Sequence, residues 1–167
     1  MSNQSFLLVI FAVCLLACSP PEQAQQPTVP VEPLKSRLAN IKRVPSHYTN
    51  QHQFAATSEK KPGDSAYQSV LKMSREVLEE LIKVLPDTSL TQITNTCGNG
   101  NFTYGQLAFL LIDDIEDVPY FTVTNIQFDV FDCGILPAGL LDYLKTNGRT
   151  FQKQYSDYIY SKAMKAK

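Results

Sequence analysis

Leu107, Ala108, Leu111, Ile112 and Ile115 fall three and four residues apart, the spacing of one helix face. Phe109 and Leu110 carry the apolar surface almost all round, so the pattern predicts a buried central helix. Thr103 followed by Gln106 is a capping-box start, and Pro119 stops the helix near Asp117. Upstream, Tyr67, Val70, Leu71, Val77, Leu78, Leu81, Ile82 and Leu85 predict one amphipathic helix from an N-cap at Asp64 to Pro86. Its outer faces carry the i,i+4 pairs Lys72–Glu76, Arg75–Glu79 and Glu79–Lys83. Asp87 to Ile93 reads as a further helical turn and Asn95 to Asn101 as a turn-rich loop. Gly98 and Gly100 in that loop fit a plain turn better than a phosphate loop, because no strand is expected before them and no Lys follows.

Downstream the pattern is ambiguous. Tyr120 to Thr124 is rich in strand formers, and Ile126, Phe128 and Val130 alternate with Gln127 and Asp129. Either a half-buried strand or a short 3₁₀ segment under the helices fits. Pro137 opens a short helix through Leu140, Leu141 and Leu144, with Asn147-Gly148 as its C-cap. A last helix from Arg149 to Lys165 buries Phe151, Tyr155, Tyr158, Ile159 and Ala163. Near the front, Leu34, Leu38 and Ile41 are helix-spaced among Lys35, Arg37, Lys42 and Arg43. That basic amphipathic helix either packs on an acidic domain or lies on lipid. His47 to Lys61 reads as a loop, with His47 and His52 solvated. The expected fold class is mainly α: a small bundle of four or five helices, a short strand pair near residues 120–131 as an option, and one disulfide.

Ser5 to Cys18 is an uncharged apolar run, shorter than the roughly 20 residues of a membrane span and of the length of a signal-peptide core. Leu15-Leu16-Ala17-Cys18 resembles the lipobox of bacterial lipoproteins, in which the cysteine is lipidated and becomes the mature N-terminus. The resemblance implies a lipid on Cys18, and Ser19 after it resembles lipoproteins sorted to an outer membrane, facing the periplasm. An ordinary cleaved signal or an uncleaved anchor is the other reading of the same run. Residues 19–33 are dominated by Pro and Gln and form a semi-extended tether. The organisation expected is therefore a signal over residues 1–18, the tether over 19–33 and one globular domain over 34–167.

Of the four cysteines, Cys14 lies inside the signal and Cys18 at the lipid site. Cys97 and Cys133 remain, and in an oxidising compartment a disulfide is the natural reading. Closing so long a loop contributes about 4 kcal/mol in the chain-entropy model. A metal pair or a reactive thiol is the alternative, with no His nearby to support it.

The net charge is −1, so the overall balance gives no argument for nucleic acid. Its distribution is uneven. No Lys or Arg occurs from Val84 to Leu144, where Asp113, Asp114, Glu116, Asp117, Asp129 and Asp132 are found. These acids form either an ordinary solvated face, neutralised by the basic C-terminus, or part of a face for a basic protein partner. No catalytic or cofactor motif is present, and Asp113 to Asp117 lacks the alternation and glycine of a calcium loop. The sequence points to a non-enzymatic, lipid-anchored envelope protein that binds another protein, in one version a toxin-neutralising immunity protein. A structural or assembly lipoprotein is the alternative, and a carboxylate-based hydrolase a third reading. No cofactor is expected.

Overall fold

The central helix forms as its pattern requires. In the computed structural model, which describes residues 33–49, 61–96, 98, 100–128 and 135–165, it spans Tyr104–Glu116 and buries every residue from Gly105 to Ile112. The capping box is complete. Thr103 Oγ1 accepts from Gln106 N at 3.1 Å, and Gln106 Oε1 accepts from Thr103 N at 2.8 Å. Gln106 Nε2 also donates to Leu141 O at 2.8 Å, so the cap ties this helix to the C-terminal one. Asp117 ends the helix in a left-handed conformation, two residues before Pro119.

The described residues form six α-helices and a two-stranded antiparallel sheet. In order they are α1 (Leu34–Asn40), α2 (Ser65–Leu71), α3 (Leu78–Val84), β1 (Leu90–Thr94), β2 (Asn101–Thr103), α4 (Tyr104–Glu116), α5 (Tyr120–Thr124) and α6 (Ala138–Lys165). Helix α4 packs against α2, α3, α6 and β2. Leu38, Tyr67, Leu81, Leu85, Phe102, Leu140, Phe151 and Tyr155 close around it with almost no exposure. Residues from Glu32 onward form one compact unit with this core entirely its own.

The structure corrects four expectations. The helix expected from Asp64 to Pro86 is broken: Ser74 is left-handed at φ 51°, and Ser74–Val77 is a 3₁₀ turn between α2 and α3. No breaker residue stands there. The corner lets Tyr67 and Val70 meet α4 from one direction and Leu81 and Leu85 from another, which a straight rod cannot do. Among the described residues the ion pair on α3 is Lys83–Glu80 at 2.6 Å, an i,i+3 contact rather than the i,i+4 pairs expected.

Second, the strand pair lies elsewhere. Leu90–Thr94 is β1, not a helical turn, with Thr91 and Ile93 buried and Leu90, Gln92 and Thr94 exposed. It pairs with β2 across the glycine-containing turn, Leu90 opposite Thr103 and Thr94 opposite Asn101. Gly100 supplies φ 92° to that turn. Third, Tyr120–Thr124 is helix α5, not strand, and residues 125–128 have no regular structure. Thr124 Oγ1 donates to Tyr120 O at 2.7 Å, satisfying a helical carbonyl in so short an element. Fourth, the break between the two C-terminal helices falls at Asn147 within α6, as expected, but its cap differs. Gly148 is buried there and not a left-handed cap. Residues 1–32, 50–60, 97, 99, 129–134 and 166–167 lie outside the described residues, so the lipid site at Cys18, His52, the Cys97–Cys133 disulfide and the acids Asp129 and Asp132 do too.

Candidate functional site

The four acids at the end of α4 that the structure describes do not share one environment. Asp113 and Asp114 face the segment between α1 and α2. Pro45 places Ser46–Tyr48 in a 3₁₀ turn, which turns Tyr48 inward to 2 % exposure. Tyr48 Oη donates to Asp114 Oδ1 at 2.8 Å and also lies 3.1 Å from Asp113 Oδ2 and 3.3 Å from Leu110 O. Tyr67 of α2, with no exposure, donates its hydroxyl to Asp114 Oδ2 at 2.8 Å. His47 Nε2 lies 3.4 Å from Asp114 Oδ1, and its ring tilts against Tyr48 at 4.2 Å. His47 is therefore half-buried and engaged, where the sequence pattern left it solvated. Asp114 as a residue reaches the surface, yet its side chain is only 19 % exposed because the carboxylate folds back among these donors.

The remaining acids divide. Asp113 Oδ1 accepts from Val118 N at 3.0 Å, closing the turn after α4. Glu116 accepts from the hydroxyl of Tyr155 on α6. Asp117 alone of the four makes no such side-chain bond among the described residues and stays exposed. The acids expected as one face are thus three internal acceptors and one surface charge. Tyr48, Tyr67 and Tyr155, the partners that decide this, were read from the sequence as loop or core residues. A buried tyrosine needs an acceptor for its hydroxyl, and that requirement was the available signal.

Electrostatics separate the neighbours Asp113 and Asp114. Burial pushes the Asp113 carboxyl above its ordinary range, and the charges of Asp114 and Asp117 add to this against the bonds from Val118 and Tyr48. Burial acts on Asp114 in the same sense, but donors from His47, Tyr48 and Tyr67 outweigh it and hold this carboxyl below its ordinary range. Tyr48 and Tyr67 are held protonated far above the usual phenol range, by burial first and then by these carboxylates. One hydroxyl proton on Tyr48 faces two carboxylates. Asp113 and Asp114 therefore compete for it, and Asp114, at 2.8 Å against 3.1 Å, is the nearer acceptor.

The pH dependence follows with opposite signs. Asp113, raised on folding, contributes stability that is full below its unfolded pKa and lost as pH rises through its folded value. Asp114, lowered on folding, contributes stability present above its unfolded pKa and lost as pH falls through its folded value. Carboxyl carbon titration by NMR should place Asp113 above and Asp114 below the ordinary aspartate range. Two coincident, ordinary curves would remove the asymmetry.

Opposed shifts of this kind also mark acid–base pairs in enzymes. Here the oxygens of Asp113 and Asp114 are spent on Tyr48, Tyr67, His47 and the Val118 amide, so the arrangement fastens α2 and the 3₁₀ turn to α4. Among the described residues no group of three or more His, Cys, Asp and Glu is placed to hold a metal ion.

The surface next to Asp117 has a different character. Helix α5 exposes Phe121 by 43 %, and Ile126 just beyond it by 37 %. With Asn125 and Gln127 they line one shallow depression. Tyr120 and Phe128 back Phe121, at ring separations of 4.6 and 6.3 Å, and Tyr143 of α6 supports Phe128 at 5.9 Å. Comparison of the chain with protein-family models, with curated proteins and with solved structures finds no match.

Proposed function

We propose that the chain is a lipid-anchored envelope protein whose globular domain binds a protein partner and catalyses no reaction. The observation that carries the binding reading is the α5 surface. Exposed Phe121 and Ile126 share a depression, are held from behind by an aromatic cluster, and stand in sequence beside the exposed charge of Asp117. Single exposed apolar residues are ordinary, but a rigid aromatic group with a polar rim is what protein interfaces use as an anchor. Asp117 favours a basic partner by steering its approach.

The carboxylate-hydrolase reading is the weaker one, because Asp113, Asp114 and Glu116 accept hydrogen bonds from within the fold. A toxin-neutralising role is one specific form of the binding reading, and an adjacent toxin gene would favour it over an assembly role. The lipid anchor on Cys18 and a Cys97–Cys133 disulfide belong to the same proposal. They rest on the lipobox resemblance and on the pairing of cysteines in an oxidising compartment.

The test is capture of a partner from the envelope fraction with the parent and with Phe121→Asp. The variant should lose at least about tenfold in affinity, the scale of an interface anchor, and stay folded with a modestly lower melting temperature, because the ring is 43 % exposed and also touches Tyr120 and Phe128. Capture that survives Phe121→Asp would sink the α5 surface as the binding site.

A further inference from the structure

Basic residues crowd the part of the domain that follows the tether. Between Pro33 and Arg75 the only acids are Glu59 and Asp64. Helices α1 and α2 lie side by side and antiparallel. Lys42 N and Arg43 N, just past α1, donate to Asp64 Oδ2 at the start of α2, at 2.6 and 3.0 Å. Arg37 Nη1, within α1, lies 3.3 Å from Met73 Sδ just past the end of α2. Ser46 N donates to Lys61 O at 2.8 Å, which holds Lys61 at the same corner as Arg43. The one described acid here, Asp64, accepts from three backbone amides, those of Lys42, Arg43 and Tyr67.

The cations divide by what they touch. Lys35 pairs with Asp87 at 2.8 Å and Lys42 bonds Gln92 at 2.7 Å, so these two hold α1 to the domain. Arg43, Lys61, Lys72 and Arg75 are exposed, and among the described residues none of them has an ion-pair partner. Beneath them Leu38, Ile41 and Val44 point into the core. None of the large exposed hydrophobic residues of the described chain lies on α1 or α2. Among the described residues this surface offers a partner charge and no large exposed apolar side chain.

We propose that the α1–α2 face binds the anionic headgroups of a phospholipid membrane and lays the domain against the bilayer that anchors it. The proposal rests on the lipid-anchor reading. Two features select a membrane over other anions. The tether enters the domain at α1, and the 15 residues 19–33 reach no further than about 55 Å even fully extended. The anchored surface is therefore always within reach of the face at the tether's root. The exposed charge along α1 and α2 is mainly cationic, with Glu76 the exposed acid beside Arg75, and each Lys or Arg near an anionic membrane surface raises partitioning about fivefold, an effect that fades within a Debye length.

The experiment is flotation of the polypeptide from Ser19 onward, which holds the whole compact unit, with vesicles of phosphatidylcholine alone or mixed with phosphatidylglycerol. Binding to the anionic vesicles at low salt, release at high salt and no binding to the neutral ones are expected. Arg43→Ala/Lys61→Ala/Lys72→Ala/Arg75→Ala should weaken binding by nearly three orders of magnitude, with melting unchanged. Should that variant fail to fold, the lipid and salt dependence of the parent decides. Absence of binding to anionic vesicles, equal binding to neutral ones, or full binding by the folded variant would overturn the proposal; in the first case an acidic protein would be the better occupant. The mass of the full-length mature protein extracted from membranes decides the anchor separately. A lipidated Cys18 with no vesicle binding sinks this face alone, and vesicle binding with an unmodified Cys18 sinks the anchor alone.

Discussion

Asp114→Ala is expected to lower stability by about 2–4 kcal/mol, because it leaves the buried hydroxyl of Tyr67 without its acceptor and removes the nearest acceptor of Tyr48, which keeps Asp113 and the Leu110 carbonyl. A domain of this size has roughly 5–15 kcal/mol in all, so the loss amounts to about 8–16 °C in melting temperature. The comparison that isolates the cause is with Tyr67→Phe. That change removes one hydroxyl while Asp114 keeps Tyr48 and His47, and should cost about 1–2 kcal/mol. Adding Tyr67→Phe to Asp114→Ala should restore part of the loss, since the orphaned hydroxyl is then gone. Asp117→Ala, on the exposed neighbour, should stay within about 0.5 kcal/mol. Denaturant melts of this set decide the matter. An Asp114→Ala loss under about 1 kcal/mol would return Asp114 to the solvated surface and make it again a candidate for partner contact.

The contrast between these acids shows where the sequence is legible. The apolar run from Leu107 to Ile112 with the Thr103–Gln106 pair specifies α4 by local chemistry alone, and the helix is present with its cap. The Asp64 cap is equally local, and its side chain accepts from Tyr67 N. The errors arise where a distant segment decides. Nothing within Lys72 to Glu76 forbids a helix; the break at Ser74 follows from the need to bury Tyr67 and Leu81 against one helix from different sides. Leu90 to Thr94 does alternate, and the following Gly98 and Gly100 give a hairpin signal, yet Leu90 is 61 % exposed, so its apolar character misleads. At the candidate site, crowded carboxylates on a helix end read as a solvated face. Their donors arrive from residues 47, 48, 67 and 155, up to about seventy positions away, and no spacing rule connects them.

Gly105→Ala is expected to destabilise by about 2–4 kcal/mol, although helix propensity alone would make it stabilising by about 1 kcal/mol. A methyl group on Gly105 would lie 2.2 Å from the Leu85 carbonyl oxygen and 3.1 Å from that of Asp87. Both contacts are backbone, so no side chain can rotate away. Relief requires the first turn of α4 to withdraw from the corner between α3 and β1. That withdrawal strains the bonds from Gly105 N to Asp87 O at 2.8 Å and from Tyr104 N to Ser89 O at 2.9 Å. Gly148 approaches the same carbonyl from α6, where a methyl group would stand 2.6 Å from Leu85 O and 3.1 Å from Pro86 Cα. The two glycines thus grip one chain reversal from two sides, which explains why Gly148 is buried within α6 rather than capping a helix. Gly148→Ala should cost about 1–3 kcal/mol. The double variant should lose less than the sum of the two, because either change alone already displaces Leu85 O. Gly139, near the start of α6, is the control: its methyl would meet Phe128 at an ordinary 3.5 Å. Gly139→Ala should therefore stabilise by about 0.5–1 kcal/mol. The sign of the Gly105→Ala effect in a thermal or denaturant melt is decisive: stabilisation there, as at Gly139, would show that α4 does not press on the Leu85 corner in solution.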